Sequence, residues 1–527
     1  MAPRPEADRL AAYRAKRSAE RTPEPFGSAA ARPRLFVVQE HRARRRHFDL
    51  RLEWQGVLWS WAVPKGPSLD PAQKRLAVRV EDHPLDYADF EGSIPEGNYG
   101  AGAVIVWDKG RWVPIEDPET GIAKGKLLFD LLGYKLRGRF TLVRTGGSKR
   151  KRDAPEAKEW LLIKKPDAFA SATATLLPQS VHSGRTVDDV AAQASPEAAL
   201  LRDAARAGAP TRRVVASRAR PMLAEAWEEP FSAKGWFFEV KYDGYRVIAA
   251  CEAGRARLFY RSGRDATALF PEIAAALAAL PVSHAVLDGE LVVHDAAGRP
   301  SFQMLQGRAH ATPREAARAA VETPAALAIF DGLGIGDLDL RPLPLRTRKR
   351  LIARLVPPIG PLQLAPHWEE RGRVVFAEIE KLGLEGMVAK RADAPYRAGR
   401  SPAWRKVRIQ KTGDFAVVGW SAPRGARSGF GALHVAARDA DGLRYVGRVG
   451  SGFTDKQLVA IRGALEADER KTPPCGGSLP GARGSRWVEP RLVVEVRFTE
   501  WTADGSLRHP VFLRVRDDKV VGDVEEI

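Results

Sequence analysis

The sequence has very few cysteines and no long apolar run. Its two cysteines, Cys251 and Cys475, are far apart and show no metal-ligand spacing. This excludes a disulfide framework and favours a reducing cytoplasm. No stretch is long and apolar enough to span a bilayer, the N-terminus has no apolar segment typical of a signal peptide, and no internal repeat is visible. A secreted or membrane-spanning protein is therefore not expected.

Acidic residues are also fewer than basic residues. The chain has 84 Lys and Arg against 65 Asp and Glu, a formal net charge of +19. Such an excess indicates a polyanionic partner, most simply nucleic acid. An anionic membrane surface is the alternative, but no long amphipathic basic helix supports it. The 527 residues, of which 44% are hydrophobic, are enough for about three or four domains with sizeable cores.

The first part of the chain is predicted to be mostly β-structure. Residues 1–32 are polar and basic with one weak helical pattern, which predicts a flexible arm. Many short strand-like runs, separated by Gly and Pro, follow over 33–166 and predict a small β-barrel, in which 146–152 would be a mobile basic loop. Residues 167–213 are rich in Ala, Ser, Thr and Pro, which predicts an interdomain linker with patchy helix.

The rest of the chain is predicted to form two further domains. Strands alternate with helical stretches over 214–410, which predicts an α+β domain. Strands dominate again over 411–527, with one helix near 455–466, and the size suits an OB-fold β-barrel. The predicted fold class is therefore multidomain.

The segment Lys241-Tyr242-Asp243-Gly244 follows a short apolar strand, Trp236–Val240. A lysine at a strand end, before Asp-Gly, can be a covalent nucleophile that accepts a nucleotide. Its amine must be unprotonated to attack, and burial and nearby cations lower a lysine pKa. Arg246, Lys390 and Lys406 would supply such cations. The four-residue pattern alone is weak because it arises by chance, and the Asp-Gly pair is also typical of a hairpin turn.

Three residues further along the chain suit a bound nucleotide. Glu290 ends a strand-like run after a glycine, where a carboxylate can hold ribose hydroxyls. Glu385, five residues before Lys390, suits a metal ion that bridges phosphates. Phe330 closes an apolar strand, and its ring could stack on a base. A core position is the alternative for Phe330, and a solvated helix face is the alternative for Arg346–Arg350.

The ordered set resembles the covalent nucleotidyltransferase superfamily, which comprises ATP-dependent DNA ligases, RNA ligases and capping enzymes. The resemblance covers about 221–527 and implies Lys241 as the adenylated lysine and Glu385 as the metal-linked glutamate. It implies nucleotide contacts for Arg246, Arg261, Glu290, Phe330, Arg346, Lys390 and Lys406. Arg516-Asp517-Asp518-Lys519 resembles the last motif, which orients the leaving pyrophosphate. Where the family has a second lysine this chain has Arg408, whose role is open because arginine changes the geometry.

A second chemical pattern lies nearer the N-terminus. Residues 47–54 alternate strictly between polar and apolar side chains. His47, Asp49 and Arg51 fall on one face, so one strand presents imidazole, carboxylate and guanidinium together. His47 and Asp49, joined by His41 from the preceding turn, would make a three-ligand site for Mn²⁺, Zn²⁺ or Fe²⁺. The alternative is a basic strand that faces solvent or nucleic acid.

Basic residues near this pattern suit a phosphate. Arg51, Lys65 and Arg75 could hold phosphate oxygens. His83 could stabilise the transition state or protonate the leaving group, with Tyr87 nearby.

Residues about 33–165 are similar to the 3′-phosphoesterase domain of the bacterial ligase D family. The similarity rests on long motifs such as Glu81-Asp82-His83-Pro84-Leu85-Asp86-Tyr87-Ala88. It implies His41, His47 and Asp49 as manganese ligands. It places around the scissile phosphate Arg51, Lys65, Arg75, His83 and Tyr87.

Together the two resemblances imply an ATP-dependent DNA ligase that seals nicks and breaks through a lysyl-AMP intermediate, joined to a phosphoesterase that heals 3′ ends. They imply ATP, Mg²⁺ or Mn²⁺ for the ligase and Mn²⁺ for the phosphoesterase. The expected setting is double-strand break repair by non-homologous end joining at the bacterial nucleoid, with duplex DNA and a Ku-type end-binding protein as partners. The family's polymerase domain is not expected in this chain.

Two alternatives stay open. One is RNA end processing, by RNA ligation or GTP-dependent capping. The other is a non-catalytic basic nucleic-acid-binding protein.

Overall fold

The structure is a computed structural model of the 527-residue chain. It describes residues 8–27, 32–145, 158–309, 311–409, 411–423, 429–480, 484–502 and 504–527. The predicted basic loop 146–152 lies outside the described residues. The chain divides into two compact units, the first formed by Met1–Phe376 and Val388–Lys406 and the second by Ala377–Met387 and Val407–Ile527. Among the described helices, none has the length and apolarity that a membrane crossing requires.

In the part of the chain that the structure describes, the N-terminal domain has ten strands. They are β1 Leu35–Arg42, β2 Arg46–Trp54, β3 Val57–Val63, β4 Lys74–Arg79, β5 His83–Pro84, β6 Gly92–Ile94, β7 Gly102–Pro114, β8 Lys126–Gly133, β9 Arg137–Arg144 and β10 Glu159–Lys164. Eight of them close an antiparallel barrel in the order β1-β2-β3-β4-β10-β9-β8-β7, because β7 pairs back onto β1. The predicted N-terminal β-barrel is thereby confirmed.

Both faces of β2 are buried, for different reasons. Leu50 and Leu52 lie in the barrel core with the fully buried Trp61 and Trp112. The polar side chains on the other face of β2 are covered by the 3-10 helix Leu85–Asp89 and by the N-terminal arm. The alternating pattern of β2 thus separates an apolar core from a polar, enclosed site.

The arm and the predicted linker contain short helices. These are α1 Ala11–Arg14, α3 Val187–Ala191 and α4 Glu197–Arg206, while α2 Pro118–Lys124 lies in the barrel domain. Val187 and Val190 are buried in the barrel core, and Leu200 and Ala204 are buried in the core of the following domain. The segment 167–213 therefore packs on both neighbours.

The described residues of the following domain form two sheets and five α-helices. Its strands are β11 Met222–Ala226, β12 Trp236–Val240, β13 Tyr245–Glu252, β14 Arg255–Tyr260, β15 His284–Val293, β16 Ala325–Ile335, β17 Leu338–Asp339, β18 Leu362–Leu364, β19 His367–Glu369, β20 Gly386–Arg391 and β21 Gly399–Arg408. Its helices are α5 Pro271–Ala278, α6 Phe302–Ala309, α7 Pro313–Glu322, α8 Leu345–Ile352 and α9 Gly372–Lys381. One sheet has the order β14-β13-β15-β16-β17, with β18 on β16, and the other has the order β11-β21-β20-β12-β19.

Strand β13 shows how the two cores of this domain are separated. Val247, Ala249 and Cys251 pack in the larger core with the helices. Ile248 and Ala250 point to the opposite face and pack in a second core that includes residues of both sheets. The expected nucleotide-binding residues cluster around this second core.

The C-terminal region is rich in β-structure. Its strands are β22 Lys411–Ser421, β23 Ala432–Asp439, β24 Gly442–Val449, β25 Glu469–Arg470, β26 Ser485–Val488, β27 Val493–Phe498 and β28 Val511–Val515. One helix, α10 Asp455–Glu466, begins with a capping box at Thr454 and buries Leu458, Ile461 and Leu465 against the sheet core. The predicted β-rich C-terminal region is confirmed.

Arg348 of helix α8 and Asp331 of strand β16 form a buried ion pair, which leads to a stability prediction. Arg348 donates two hydrogen bonds of 2.7 Å to Asp331, and both side chains are buried. Arg348→Ala should lower the free energy of unfolding by about 3–5 kcal/mol, because Asp331 is left as an uncompensated buried charge. Arg350→Ala, an exposed position on the same helix, should cost less than about 0.5 kcal/mol. Urea denaturation checks both variants, and equal midpoints would contradict the prediction.

Candidate active sites

The three predicted metal ligands of the barrel lie together. His41 of β1 is the direct partner of His47 in β2, and Asp49 lies two residues further along the same face. Their ligand atoms all lie within 4.8 Å of one another. The hairpin register thus brings two imidazoles and one carboxylate to one place.

Each imidazole is oriented by a backbone carbonyl. His41 Nε2 donates to the Gly100 carbonyl at 2.9 Å, and His47 Nδ1 donates to the Arg45 carbonyl at 2.9 Å. In a neutral imidazole with this hydrogen bond, the other ring nitrogen carries the lone pair that can bind a metal ion. Burial lowers the pKa of His41, which favours the neutral, ligating form. The donor set therefore fits a divalent transition metal ion.

Arg51 is held rigidly beside these ligands. Its guanidinium donates to Gln39 Oε1 at 2.8 Å, to Ser60 Oγ at 2.8 Å and to Asp49 Oδ2 at 3.0 Å. The side chain is only 3% exposed. It also lies 4.8 Å from the centre of the Tyr87 ring. A cation fixed in this way is preorganised to stabilise a phosphate.

His83 and Tyr87 flank the same polar face. His83 Nδ1 donates to the Glu81 carbonyl at 2.8 Å, so Nε2 keeps its lone pair. Burial first, and then the charge of Arg51, lower the pKa of His83 well below its ordinary value. The rings of His83 and Tyr87 lie 4.9 Å apart. The structure therefore gathers His83 and Tyr87 with Arg51.

The two remaining predicted phosphate ligands sit differently. Lys65 is exposed, in the turn after β3. Arg75 lies on β4, and its buried Nε has no hydrogen-bond partner among the described residues. The phosphate-binding role of Lys65 and Arg75 stays a prediction.

The N-terminal arm folds over this site, which the sequence does not reveal. Tyr13 is fully buried, with its ring 5.0 Å from that of His83. Tyr87 donates its hydroxyl hydrogen to Glu24 at 3.0 Å, and Arg17 pairs with Glu24 at 2.9 Å and with Glu81 at 3.2 Å. The predicted flexible arm is therefore part of the enclosure, because an aromatic anchor and buried ion pairs fasten its basic sequence.

The expected nucleophile, Lys241, follows β12 directly and is partly buried. The next turn is pressed against β15. A Cβ atom on Gly244 would lie 2.1 Å from the Leu291 carbonyl oxygen and 2.8 Å from Glu290 Cγ. Only glycine permits this approach. The Asp-Gly pair therefore brings the segment that follows Lys241 next to Glu290 rather than forming a simple hairpin turn.

Arg246 is held by a carboxylate that the sequence prediction did not include. Its guanidinium donates to both oxygens of Asp288, at 2.6 and 2.7 Å. The Tyr396 hydroxyl donates to the same carboxylate at 2.5 Å. Burial alone would lower the pKa of Arg246, but Asp288 overcomes this effect and raises it. Arg246 is thus a fixed cation in the second core.

Lys390 shares a buried carboxylate with another lysine. Its Nζ lies 2.6 Å from Glu239, and Lys349 Nζ lies 2.7 Å from the other oxygen of that carboxylate. Burial lowers the pKa of Lys390 to about 8, although Glu239 offsets part of the effect. Glu239 lies two residues before Lys241 on an alternating strand, a signal that could have identified it.

Phe330 occupies the core position that was the alternative prediction for it, beside two of the predicted cations. The residue is 7% exposed and packs in the second core. Lys390 Nζ lies 4.1 Å from the ring centre and Arg246 Cζ lies 4.5 Å from it. Trp404 meets the ring edge to face at 6.0 Å. The aromatic residues and the cations expected at the phosphates therefore occupy one region.

Three other predicted nucleotide ligands are less enclosed. Arg261 is exposed, and its backbone N–H donates to the Arg246 carbonyl at 3.2 Å. Arg346 is exposed at the start of α8, whereas Arg348 and Lys349 of the same run are buried. Lys406 is partly buried near the end of β21. The helix-face alternative thus holds for the exposed Arg346 and Arg350 but not for the buried pair.

The predicted metal-linked glutamate and the last motif belong to the second compact unit. Glu385 lies 3.4 Å from Arg408, which gives Arg408 a counter-ion. Arg516 pairs with Asp414 at 3.1 Å, and Lys519 pairs with the same carboxylate at 2.6 Å. The basic residues of the last motif are therefore ion-paired within their own unit.

Three family models match the chain. The model of the DNA ligase D 3′-phosphoesterase domain matches residues 39–144. The ATP-dependent DNA ligase domain matches 221–408, and the C-terminal region of ATP-dependent DNA ligases matches 426–519. The two candidate sites fall in the first and second of these matches.

Two LigD relatives match almost the entire chain. The multifunctional non-homologous end joining protein LigD of Pseudomonas aeruginosa is 40% identical over 99% of this chain and 62% of its own length. The corresponding DNA repair protein of Mycobacterium tuberculosis is 36% identical over 99% of this chain and 61% of its own length. A probable DNA ligase of Streptomyces coelicolor is 34% identical over 62% of this chain and 66% of its own length. The chain thus spans about three fifths of the LigD relatives.

Proposed function

Because this chain belongs to the LigD family, we propose that it joins an ATP-dependent DNA ligase to a metal-dependent 3′-phosphoesterase, and that it acts in DNA double-strand break repair by non-homologous end joining. The observation that carries the proposal is the cluster of His41, His47 and Asp49, with ligand atoms within 4.8 Å, in the same chain as the Lys241 region. One site would clean a 3′ end and the other would seal it.

The ligase reaction would proceed in three steps. The Lys241 amine attacks the α-phosphorus of ATP, and pyrophosphate leaves. The lysyl-bound AMP then passes to the 5′-phosphate of a nick, which releases Lys241. The 3′-hydroxyl attacks the activated 5′-phosphate, a phosphodiester bond forms and AMP leaves. This last step needs a free 3′-hydroxyl, which explains the union with a 3′-phosphoesterase.

The chain's own residues would stabilise these transfers. Glu290 would bind ribose hydroxyls, and Phe330 would stack on the adenine. Lys390 and Lys406 would neutralise the α-phosphate as charge develops on it. Arg246 is fixed by Asp288, so it would provide a cation without moving. Arg261 and Arg346, both exposed, would complete the nucleotide contacts.

The phosphoesterase site would work through a rigid cation and a neutral imidazole. Arg51, with Lys65 and Arg75, would hold the phosphate oxygens, and Tyr87 would support Arg51. His83 would face the reacting phosphate with its Nε2.

Both reactions would use a divalent metal. His41, His47 and Asp49 would hold Mn²⁺ in the phosphoesterase, and Glu385 would serve Mg²⁺ or Mn²⁺ in the ligase. When bound, such an ion supplies Lewis acidity that polarises a phosphoryl oxygen.

The partners follow from the same proposal. Duplex DNA with nicks or ends would be the substrate, held through its phosphates by the basic surface and the OB-type C-terminal region, so binding should weaken steeply with salt. A Ku-type end-binding protein would recruit the chain. The site of action would be the bacterial cytoplasm, at the nucleoid.

Labelling experiments test the ligase part of the proposal. The protein is incubated with α-labelled ATP or GTP, and then with nicked DNA or nicked RNA. Label from ATP alone, followed by sealing of DNA, is expected. Transfer of GMP to the protein would favour capping, sealing of RNA alone would favour RNA ligation, and no label at all would favour a non-catalytic binding protein.

The pKa of Lys390 leads to a pH prediction. Because burial lowers this pKa to about 8, the lysine loses its charge as pH rises through that value. ATP affinity, measured by calorimetry on the Lys241→Ala chain, should therefore weaken by about tenfold between pH 7 and pH 9.5. Glu239→Gln should move the transition to lower pH, since the carboxylate raises the pKa of Lys390. An affinity that does not change across this range would contradict the assigned role.

A further inference from the structure

The hairpin that carries the two histidines ends in an arginine-rich tip. Strand β1 ends at Arg42 and β2 begins at Arg46, and these two residues pair directly beyond the His41–His47 pair. The tip, Arg42–Arg46, contains four arginines and Ala43, and all four arginines are exposed. Four guanidinium groups therefore stand next to the candidate metal site.

The tip is held in a fixed position by β7. A Cβ atom on Gly102 would lie 2.2 Å from the Arg42 carbonyl oxygen and 3.0 Å from Ala43 Cα. The backbone of the tip also accepts the His47 hydrogen bond at Arg45. A metal ligand and the neighbouring strand thus both fix the tip, so its arginines keep a defined place relative to the site.

Two of the four arginines are partly neutralised. Arg42 and Arg46 pair with Asp188 of α3 at 3.0 and 3.3 Å, and Arg46 also pairs with Glu40 at 2.5 Å. Within the described residues, Arg44 and Arg45 form no ion pair. Two carboxylates against four guanidiniums leave an excess of positive charge that is concentrated at Arg44 and Arg45.

We propose that the tip Arg42–Arg46 binds the phosphates of the nucleic-acid strand whose 3′ end enters the His41/His47/Asp49 site. This rests on the proposed phosphoesterase function. Arg44 and Arg45 lie in the bend between β1 and β2, directly beyond the paired His41 and His47. The tip therefore stands where the phosphates next to the 3′ end of that strand would pass.

Arginine suits this partner better than it suits an acidic protein. Its planar guanidinium forms paired hydrogen bonds with phosphate oxygens, and the site beside it would already hold one phosphate of the same strand. Asp188 competes with the strand for Arg42 and Arg46, so it limits the affinity. The tip would determine how strongly the phosphoesterase prefers a polymer to a single nucleotide.

The test uses Arg44→Gln/Arg45→Gln in the full chain. Removal of a 3′-phosphate is followed on an oligonucleotide duplex and on a nucleoside 3′-monophosphate, at 50 and 200 mM salt. On the duplex, KM should rise while kcat stays within about twofold. The salt slope, which is the change in log KM per unit of log salt concentration, should fall by about 1.8, or 0.9 per phosphate contact. Raising the salt from 50 to 200 mM should therefore weaken duplex binding by the wild type about tenfold more than duplex binding by the variant. The nucleoside 3′-monophosphate should show no difference between the two proteins.

Two further variants sharpen the result. Lys124→Gln/Lys126→Gln removes the same charge at an exposed site beyond the other end of β7 and should leave the slope unchanged. Asp188→Asn should lower the duplex KM by freeing Arg42 and Arg46. A salt slope for Arg44→Gln/Arg45→Gln equal to that of the lysine control would overturn the proposal, as would an equal loss on the nucleoside 3′-monophosphate.

The proposed phosphoesterase function and the proposed phosphate binding by the tip can be tested separately. If the wild type removes no 3′-phosphate, the phosphoesterase function fails. Fluorescence anisotropy with a duplex carrying a 3′-phosphate then still reports the salt slope of binding. A slope unchanged by Arg44→Gln/Arg45→Gln would overturn the tip as well, whereas a reduced slope would support it.

Discussion

Lys241→Ala should abolish the transfer of AMP to the protein and reduce nick sealing by at least about 10³-fold. The reason is that no other group can form the lysyl–AMP intermediate once the amine is removed. Labelling with α-labelled ATP, followed by denaturing electrophoresis, measures the first effect. Sealing of a nick that already has a 3′-hydroxyl measures the second.

The phosphoesterase provides the internal control for this variant. Release of a 3′-phosphate by Lys241→Ala should match the wild type, because the barrel site does not include this lysine. Lys234→Ala removes an exposed lysine shortly before β12 and should label normally. Normal labelling of the Lys241→Ala chain would contradict the assignment of the nucleophile.

His41→Ala and Asp49→Asn should each reduce 3′-phosphate release by at least about 100-fold. The three ligand atoms lie within 4.8 Å, so each change removes a donor from one small site, and loss of even an outer partner of a metal ligand typically costs 10–100-fold. Asp49→Asn also removes the negative charge that pairs with Arg51 at 3.0 Å. Steady-state kinetics and calorimetric titration with Mn²⁺ check activity and metal binding together.

The ligase distinguishes a local effect from unfolding. Both variants should seal a nick with a 3′-hydroxyl at the wild-type rate. His509→Ala changes an exposed histidine of the C-terminal region and should affect neither activity. Full phosphatase activity in His41→Ala would contradict the assigned metal site.

Much of the barrel follows from local sequence patterns. The alternation over 47–54 predicts β2 and the polar face that carries Asp49 and Arg51. The strand-like run Val57–Val63 predicts a strand with the same bounds as the observed β3. The closure of β7 onto β1 does not follow, because it joins strands about 60 residues apart. The leucine-rich β8 was not predicted, since short apolar runs read as helix or strand equally well.

The sequence also does not show which charged residues are buried. In the run Arg346–Arg350, the helical period places Arg348 and Lys349 on the buried face with Leu345 and Ile352. The prediction selected Arg346, which is exposed. Asp288, which fixes Arg246, was not among the predicted site residues. These residues find partners far along the chain, and a single sequence does not reveal such pairs.

The N-terminal arm shows a third limit. Its basic composition predicts solvent exposure, yet Tyr13 is buried against His83 and Tyr87. Ion pairs of Arg17 with Glu24 and Glu81 neutralise the charge that composition alone would place in water. Composition counts charges but does not show where they are paired.

The most direct test of the central claim uses a nicked duplex with a 3′-phosphate and a 5′-phosphate at the nick. The protein is incubated with this duplex, ATP and Mn²⁺, and the labelled strand is resolved by electrophoresis. The account predicts a 3′-hydroxyl intermediate followed by a full-length sealed strand. It predicts that His41→Ala stops before the intermediate and that Lys241→Ala stops after it. An untouched 3′-phosphate, with normal sealing of a control 3′-hydroxyl nick, would contradict the union of the two activities.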